Sequence, residues 1–180
     1  VIQNRWRLIA ALSVLLSACG KQPVEEAVNK NDRKAVEAVV DQGGNINART
    51  SSGDTPLLLA TRTGRSSSAQ GLIENGADVN ARDEDGNSAL HLAAASGMTG
   101  ICALLIDRGL AVDDKGKDGA SPLWFAVAAG RQETAKFLVR RGADLQMKDA
   151  TGISPLDLVI QTGDTRFQGD LELAARIRAN

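Results

Sequence analysis

Glycine recurs through this chain with a fixed period of 33 residues. One set falls at Gly53, Gly86, Gly119 and Gly152, a second at Gly64, Gly97, Gly130 and Gly163, and a third at Gly76, Gly109 and Gly142. Four residues after each member of the first set stands a leucine, at Leu57, Leu90, Leu123 and Leu156. A phase held over a hundred residues argues against a single core of unique topology. Each unit is one supersecondary element that buries its apolar face only against copies of itself, so the chain must stack into a solenoid.

The local chemistry of the unit is that of two short helices. Its fullest copy runs Asp85-Gly86-Asn87-Ser88-Ala89-Leu90-His91-Leu92-Ala93-Ala94. Thr55, Ser88, Ser121 and Ser154 stand where a helix begins, and a hydroxyl there accepts a hydrogen bond from an orphan backbone N–H. Proline follows at Pro56, Pro122 and Pro155, the first helical position, where its missing N–H had no partner. The leucine opens an apolar stripe continued by Ala60, Ala93, Ala126 or Val159. The second glycine ends this helix in the left-handed conformation. A second helix is predicted over Ala69–Glu74, Gly100–Asp107 and Gln132–Arg140, closed by the third glycine. Asp-Gly pairs at 85–86 and 118–119 mark tight turns in a hairpin-like loop between repeats. Aromatic residues make up only 3% of the chain, so the core must be built from Leu, Val, Ile and Ala.

The period extends to both ends. Pro23, Val24 and Ala27 fall in phase with Pro56, Leu57 and Ala60, and Asn31 falls on a glycine position that asparagine also tolerates. After Gly163 the pattern changes: Phe167, Leu171, Ala174 and Ile177 share one helical face, with Arg166, Glu172, Arg176 and Arg178 elsewhere. The reading is an all-α repeat solenoid of about five repeats, at residues 20–52, 53–85, 86–118, 119–151 and 152–180. The first and last act as polar caps, since a terminal repeat has no outer neighbour.

Ser88-Ala89-Leu90-His91-Leu92-Ala93-Ala94, Gly97, Leu104-Leu105 and Gly109 resemble an ankyrin repeat, as do Thr55-Pro56-Leu57, Gly76-Ala77-Asp78-Val79-Asn80 and Gly142-Ala143-Asp144-Leu145. The resemblance covers residues 21–180. It implies helix–loop–helix units with a hairpin finger, stacked into a curved solenoid that binds proteins through its finger tips and its first helices.

The N-terminus is a separate matter. Arg5 and Arg7 precede a short apolar run, Leu8 to Leu16, which is below the length of about 20 residues that spans a bilayer. A basic start, an apolar core and small residues at a cleavage site describe a secretory signal. Leu16-Ser17-Ala18-Cys19 resembles the lipobox of bacterial lipoproteins. That resemblance implies a signal peptide at 1–18, diacylglycerol on Cys19, a tether at 19–22 and a repeat domain at 23–180. An ordinary signal peptide with Cys19 incidental is the alternative. Gly20, rather than Asp, after the lipidated cysteine implies the periplasmic face of the outer membrane. A tether of Gly20, Lys21 and Gln22 reaches only about 10–15 Å at roughly 3.3–3.6 Å per residue, so a partner would be membrane-proximal.

Catalytic chemistry finds no support. The chain has one histidine, His91, which cannot complete a four-ligand zinc site or serve with other histidines. The resemblance gives it a structural role instead, bonding within its repeat and to the adjacent loop. Cys102 lies in the apolar run Ile101–Ile106 and reads as a small buried hydrophobe. The glycines mark turns and helix exits, not a phosphate cradle. With 21 Lys and Arg against 22 Asp and Glu, no electrostatic case exists for nucleic acid. The expectation is a monomer that is not an enzyme and needs no cofactor or metal.

What remains is surface. The loop tips start in phase with Arg49, Arg82, Lys115 and Lys148, a basic row that is either a contact site or a solvated edge. Asp83, Asp85 and Lys117 join them, as a contact or as pairs between neighbouring loops. On the first helices, Arg62, Met98 and Arg131, with Thr61, Thr63, Ala95, Ser96, Ala128 and Ala129, are expected to line the concave face. Trp124 takes the phase of His91 and is followed by Phe125. These aromatics are either an interface anchor of the kind tryptophan often provides or packing between repeats. The function expected is a lipid-anchored periplasmic scaffold or inhibitor that binds an unidentified protein. The alternative is an immunity protein that neutralises a toxin at the cell envelope.

Overall fold

A computed structural model describes residues 23–179, with side chains from Val24 to Arg176. The signal segment, Cys19 and the tether lie outside the described residues, as does the Ile177 side chain. Ten α-helices follow in five pairs: α1 (Pro23–Asn29) with α2 (Arg33–Asp41), α3 (Pro56–Arg62) with α4 (Ser66–Glu74), α5 (Ala89–Ala95) with α6 (Thr99–Asp107), α7 (Pro122–Ala128) with α8 (Gln132–Arg141), and α9 (Pro155–Thr162) with α10 (Thr165–Ala179). Each helix packs on its pair-mate and on the same helix of the adjacent pair. The fold is the all-α repeat solenoid expected.

The first helices start as their residues dictate. The hydroxyls of Thr55 and Ser121 accept from the N–H groups of Leu58 and Trp124 at 3.3 and 3.2 Å. Ser154 accepts from the Asp157 N–H at 3.2 Å, while the Asp157 carboxylate takes the Ser154 N–H at 2.9 Å. This reciprocal box satisfies two donors at once. At the helix exits Gly97 has φ 76°, and Asn31 holds the equivalent left-handed turn at φ 52°. Helix α4 begins at Ser66, three residues before the expected Ala69. That start is in phase with Thr99 and Gln132, and the added turn carries Ser68, a fully buried hydroxyl that reaches the carbonyls of Ala27 and Val28 in the preceding pair. A polar residue serves there as an inter-repeat tie, which apolar periodicity does not register.

The core is one continuous aliphatic column. Leu57, Leu90 and Leu123 are at most 1% exposed, and Leu72, Leu105 and Leu138 are fully buried beside them. In the last pair Phe167, Leu171 and Ala174 are buried on one face of α10, as the spacing predicts. Between pairs the chain makes fingers at 49–54, 82–87, 115–120 and 148–153. The second closes with a two-residue antiparallel bridge, Arg82 to Ser88.

Candidate functional site

The fingers and the first helices together form a row of grooves, one between each finger and the next. What fills each groove depends on a few positions that share a phase. Asp54, Asn87, Ala120 and Ile153 share one; Leu58, His91, Trp124 and Asp157 share another.

The groove between the first and second fingers is bridged by Arg62, which leaves a depression of about 360 Å³ walled largely by charged side chains. Its guanidinium holds both oxygens of Asp54 at 3.0 Å and reaches Asp83 in the next finger at 3.0 Å. The Asp83 side chain is only 3% exposed. Burial alone would raise its carboxyl pKa, but hydrogen bonds from Asn87 and Arg62 outweigh it and hold the group below its ordinary value. Asp83 is therefore a buttress of the finger, not a contact at its tip.

The groove between the second and third fingers is braced more heavily. His91 Nδ1 accepts the Ser88 N–H at 3.2 Å, with the Ser88 hydroxyl at 2.9 Å. Its Nε2 lies 3.1 and 3.2 Å from the carbonyl oxygens of Asp114 and Ala120. Carbonyls only accept, so the proton sits on Nε2 and the ring is neutral. Burial pushes its pKa down, against the opposing pull of the Asp114 carboxylate. Asn87 Oδ1 takes the Lys117 N–H at 2.8 Å, and Arg82 donates to the Lys115 carbonyl and pairs with Asp114 at 2.7 Å. Lys117 pairs with Asp85 at 3.0 Å across the same gap. Arg82 thus departs from the free basic row expected of it, because its fork reaches three acceptors that a lysine could not bridge together. Arg49 donates to the Gly53 carbonyl of its own finger, and Lys115 and Lys148 are exposed.

Between the third and fourth fingers the bracing stops. Among the described residues, a backbone hydrogen bond from the Ala150 N–H to the Asp118 carbonyl, at 2.7 Å, is what joins these two fingers. Ala120 stands where the earlier repeats have Asp54 and Asn87, and it has no side chain to bridge with. Trp124 stands where His91 does, and an indole cannot accept a hydrogen bond as Nδ1 can. Its Nε1 is buried without a partner. The result is a cavity of about 380 Å³ floored by Ala120, Trp124, Phe125 and Ile153, with Lys117, Asp118, Asp149 and Thr151 at its rim. Trp124 and Phe125 are partly buried and meet edge to face at 5.7 Å; the other edge contact of Phe125 is His91, at 5.3 Å. The two aromatics pack between repeats and also line the open groove.

Other expected contact residues are placed differently. Met98 is 6% exposed and joins the core column, because its position at the start of α6 turns it under that helix. Thr61 is fully buried, its hydroxyl bonded to the carbonyls of Leu57 and Leu58. Arg131 is exposed and donates to the Ala95 carbonyl at 2.9 Å. Cys102 is fully buried, which pushes its thiol pKa up to about 12. At neutral pH it is protonated and inert. Larger depressions exist, about 520 Å³ between α4 and α6 and about 680 Å³ along α1 and α2. Both are more polar than the Trp124 groove.

A family model for ankyrin repeats matches residues 7–83 and 81–149, in three copies. No curated protein matches the chain.

Proposed function

The chain belongs to the ankyrin-repeat family, and from that premise we propose that it is a monomeric scaffold or inhibitor tethered at the bacterial envelope through lipid on Cys19. The family builds protein–protein interaction modules, and this one docks its partner at the periplasmic face of the outer membrane, across the fingers and first helices. The observation that carries the reading is the contrast between successive grooves. Arg62 bridges one and lines it with charge, His91 with Asn87 braces the next, whereas the Trp124 groove is left unbraced and apolar at a cost in unmet hydrogen bonding. Proteins depart from local consistency mainly at functional sites, and a clustered Trp and Phe is the composition of an interface anchor.

Photo-crosslinking in intact cells tests the docking surface. A crosslinking residue at Thr151, on the groove rim, captures a partner; one at Ser67, on the second helices, does not. Capture at Ser67 alone would move the site to the opposite face. Cell fractionation tests the anchor: the parent sediments with the outer membrane, and Cys19→Ser releases it. Release of neither protein, or of both, would remove the lipid from the account.

A further inference from the structure

We propose that the Trp124 groove is a socket for one apolar side chain of a protein partner, and that this side chain is flanked in the partner by lysine or arginine. The inference rests on the docking reading above and adds the chemistry of the occupant. The apolar half follows from the floor: the side chains of Ala120, Phe125 and Ile153 carry no polar group, and the unpartnered Trp124 Nε1 is buried beneath the surface, out of an occupant's reach. A polar side chain would lose its water there without compensation. Side-chain size follows from a half-open space of about 380 Å³, at the small end of ligand pockets.

The basic half follows from the charges at the mouth. Three charged residues stand there, Lys117, Asp118 and Asp149. Lys117 is committed to Asp85 in the preceding finger at 3.0 Å, and that bond raises its pKa. Lys148 is exposed and stands outside the residues that line the groove. Asp118 and Asp149 are left as the charges the mouth shows to an approaching chain. A cation beside the inserted side chain would meet them, whereas an acidic neighbour would be repelled.

The earlier grooves explain why the socket occurs once. Asn87 and His91 brace this space in the preceding repeat, and in the one before Asp54 and Arg62 line it with charge, which leaves no apolar floor. Ala120→Asn restores the residue of the preceding repeat and should close the socket without harming the fold. Asp118→Asn removes a charge at a residue with φ 53°, a conformation asparagine tolerates.

The test pans a displayed library of random 12-residue peptides against the full chain. Enriched peptides are then titrated by fluorescence polarisation against the parent, Ala120→Asn, Asp118→Asn and Arg62→Ala, each first shown folded by circular dichroism. Enriched peptides should carry Leu, Ile, Met, Phe or Trp within two residues of Lys or Arg. Ala120→Asn should abolish their binding. Asp118→Asn should weaken it about fivefold, the size of one exposed ion pair, with the difference shrinking in high salt. Arg62→Ala should leave it unchanged. Enrichment of uncharged or acidic peptides, or an Asp118→Asn variant equal to the parent, would overturn the basic flank while leaving docking at the groove in place. Binding that survives Ala120→Asn, or no enrichment, would overturn the socket and the docking reading together. A concentration-dependent dimer that Ala120→Asn dissolves would make a second copy of this chain the occupant and overturn the proposal.

Discussion

At residue scale, positions 91 and 124 show how one site in a repeat can be spent in two ways. His91 joins two fingers because one ring nitrogen accepts and the other donates. That arrangement requires a neutral ring, and a proton on Nδ1 would face the Ser88 N–H. The folded state therefore resists protonation, and the unfolded chain binds the proton first. As pH falls below the ordinary imidazole value of 6.5, stability should drop until the lowered folded value is reached, then level off. The parent's urea midpoint should fall between about pH 7 and about pH 5, the range in which histidine titrates, while that of His91→Gln stays flat. A flat parent profile would refute the tautomer. Acid loss from Asp83 and Asp114 belongs to a separate window. Both carboxyls are held below their ordinary value, so their contribution persists above the usual carboxylate range and disappears as pH falls through the lowered values. At Trp124 the orphaned N–H contributes nothing to stability. Trp124→Phe should leave the urea midpoint unchanged or raise it, since removing an unsatisfied buried donor relieves roughly 1–3 kcal/mol. A clear loss would mean that the donor is satisfied. Sequence reasoning singled out both residues, and the family resemblance implied that His91 bonds within its own repeat and to the adjacent loop. It missed the Arg62 bridge, whose acceptors stand 8 and 21 residues away. Nothing in residue phase connects an arginine on a helix to carboxylates in two different loops.

The elements were legible wherever apolar spacing and caps decide them. Every first helix begins beside a Thr, Ser or Pro that the period had marked, and the leucine four residues after each glycine of the first set enters the core column in the three inner repeats. Leu90 is the clearest case, fully buried between α3 and α7. Leu90→Ala should cost about 2–5 kcal/mol by leaving a cavity that the flanking helices cannot close; a urea midpoint equal to the parent's would refute its burial. The fingers were less legible, because their order comes from close approach and not from pattern. Gly116 is the sharpest example. Its φ is ordinary, yet a Cβ there would lie 2.6 Å from Asn87 Oδ1 and 2.8 Å from the His91 ring. Gly116→Ala should push the third finger off His91 and Asn87 and destabilise the protein by about 1–3 kcal/mol, as overpacking does. Circular dichroism melts of the parent and variant would check this, and equal melting temperatures would mean that the fingers are looser than drawn. Met98 departs for a similar reason: it is expected with the first helices on the concave face, and the turn of the chain before α6 carries it into the core.

For the whole molecule, stability must pass from repeat to repeat, because each helix pair touches only its neighbours. Among the described residues the inner pairs are clamped on both sides, while the first and last pairs each pack on one neighbouring pair. Ile160 makes the difference visible. It is 52% exposed in the last pair, whereas Val127, Ala94 and Thr61, which share its phase, are buried beneath a following repeat. In a nearest-neighbour solenoid, loss of an end unit removes one intrinsic term and one interface, and its influence fades with distance. Leu171→Ala empties a fully buried site in α10 and should open α9 and α10 first. Native-state hydrogen exchange reads this residue by residue. Protection should fall most in α9 and α10, less in α7 and α8, and least in α3 and α4. A uniform loss along the chain would show that the repeats unfold as one unit, with interfaces too strong for the ends to fray. The same gradient bears on the Trp124 groove, which lies between the fourth pair and the last finger. There the cross-bracing of the earlier grooves is missing, so a partner seated in it should restore protection to α9 and α10 more than to α3 and α4. Equal protection throughout the chain would place the partner elsewhere.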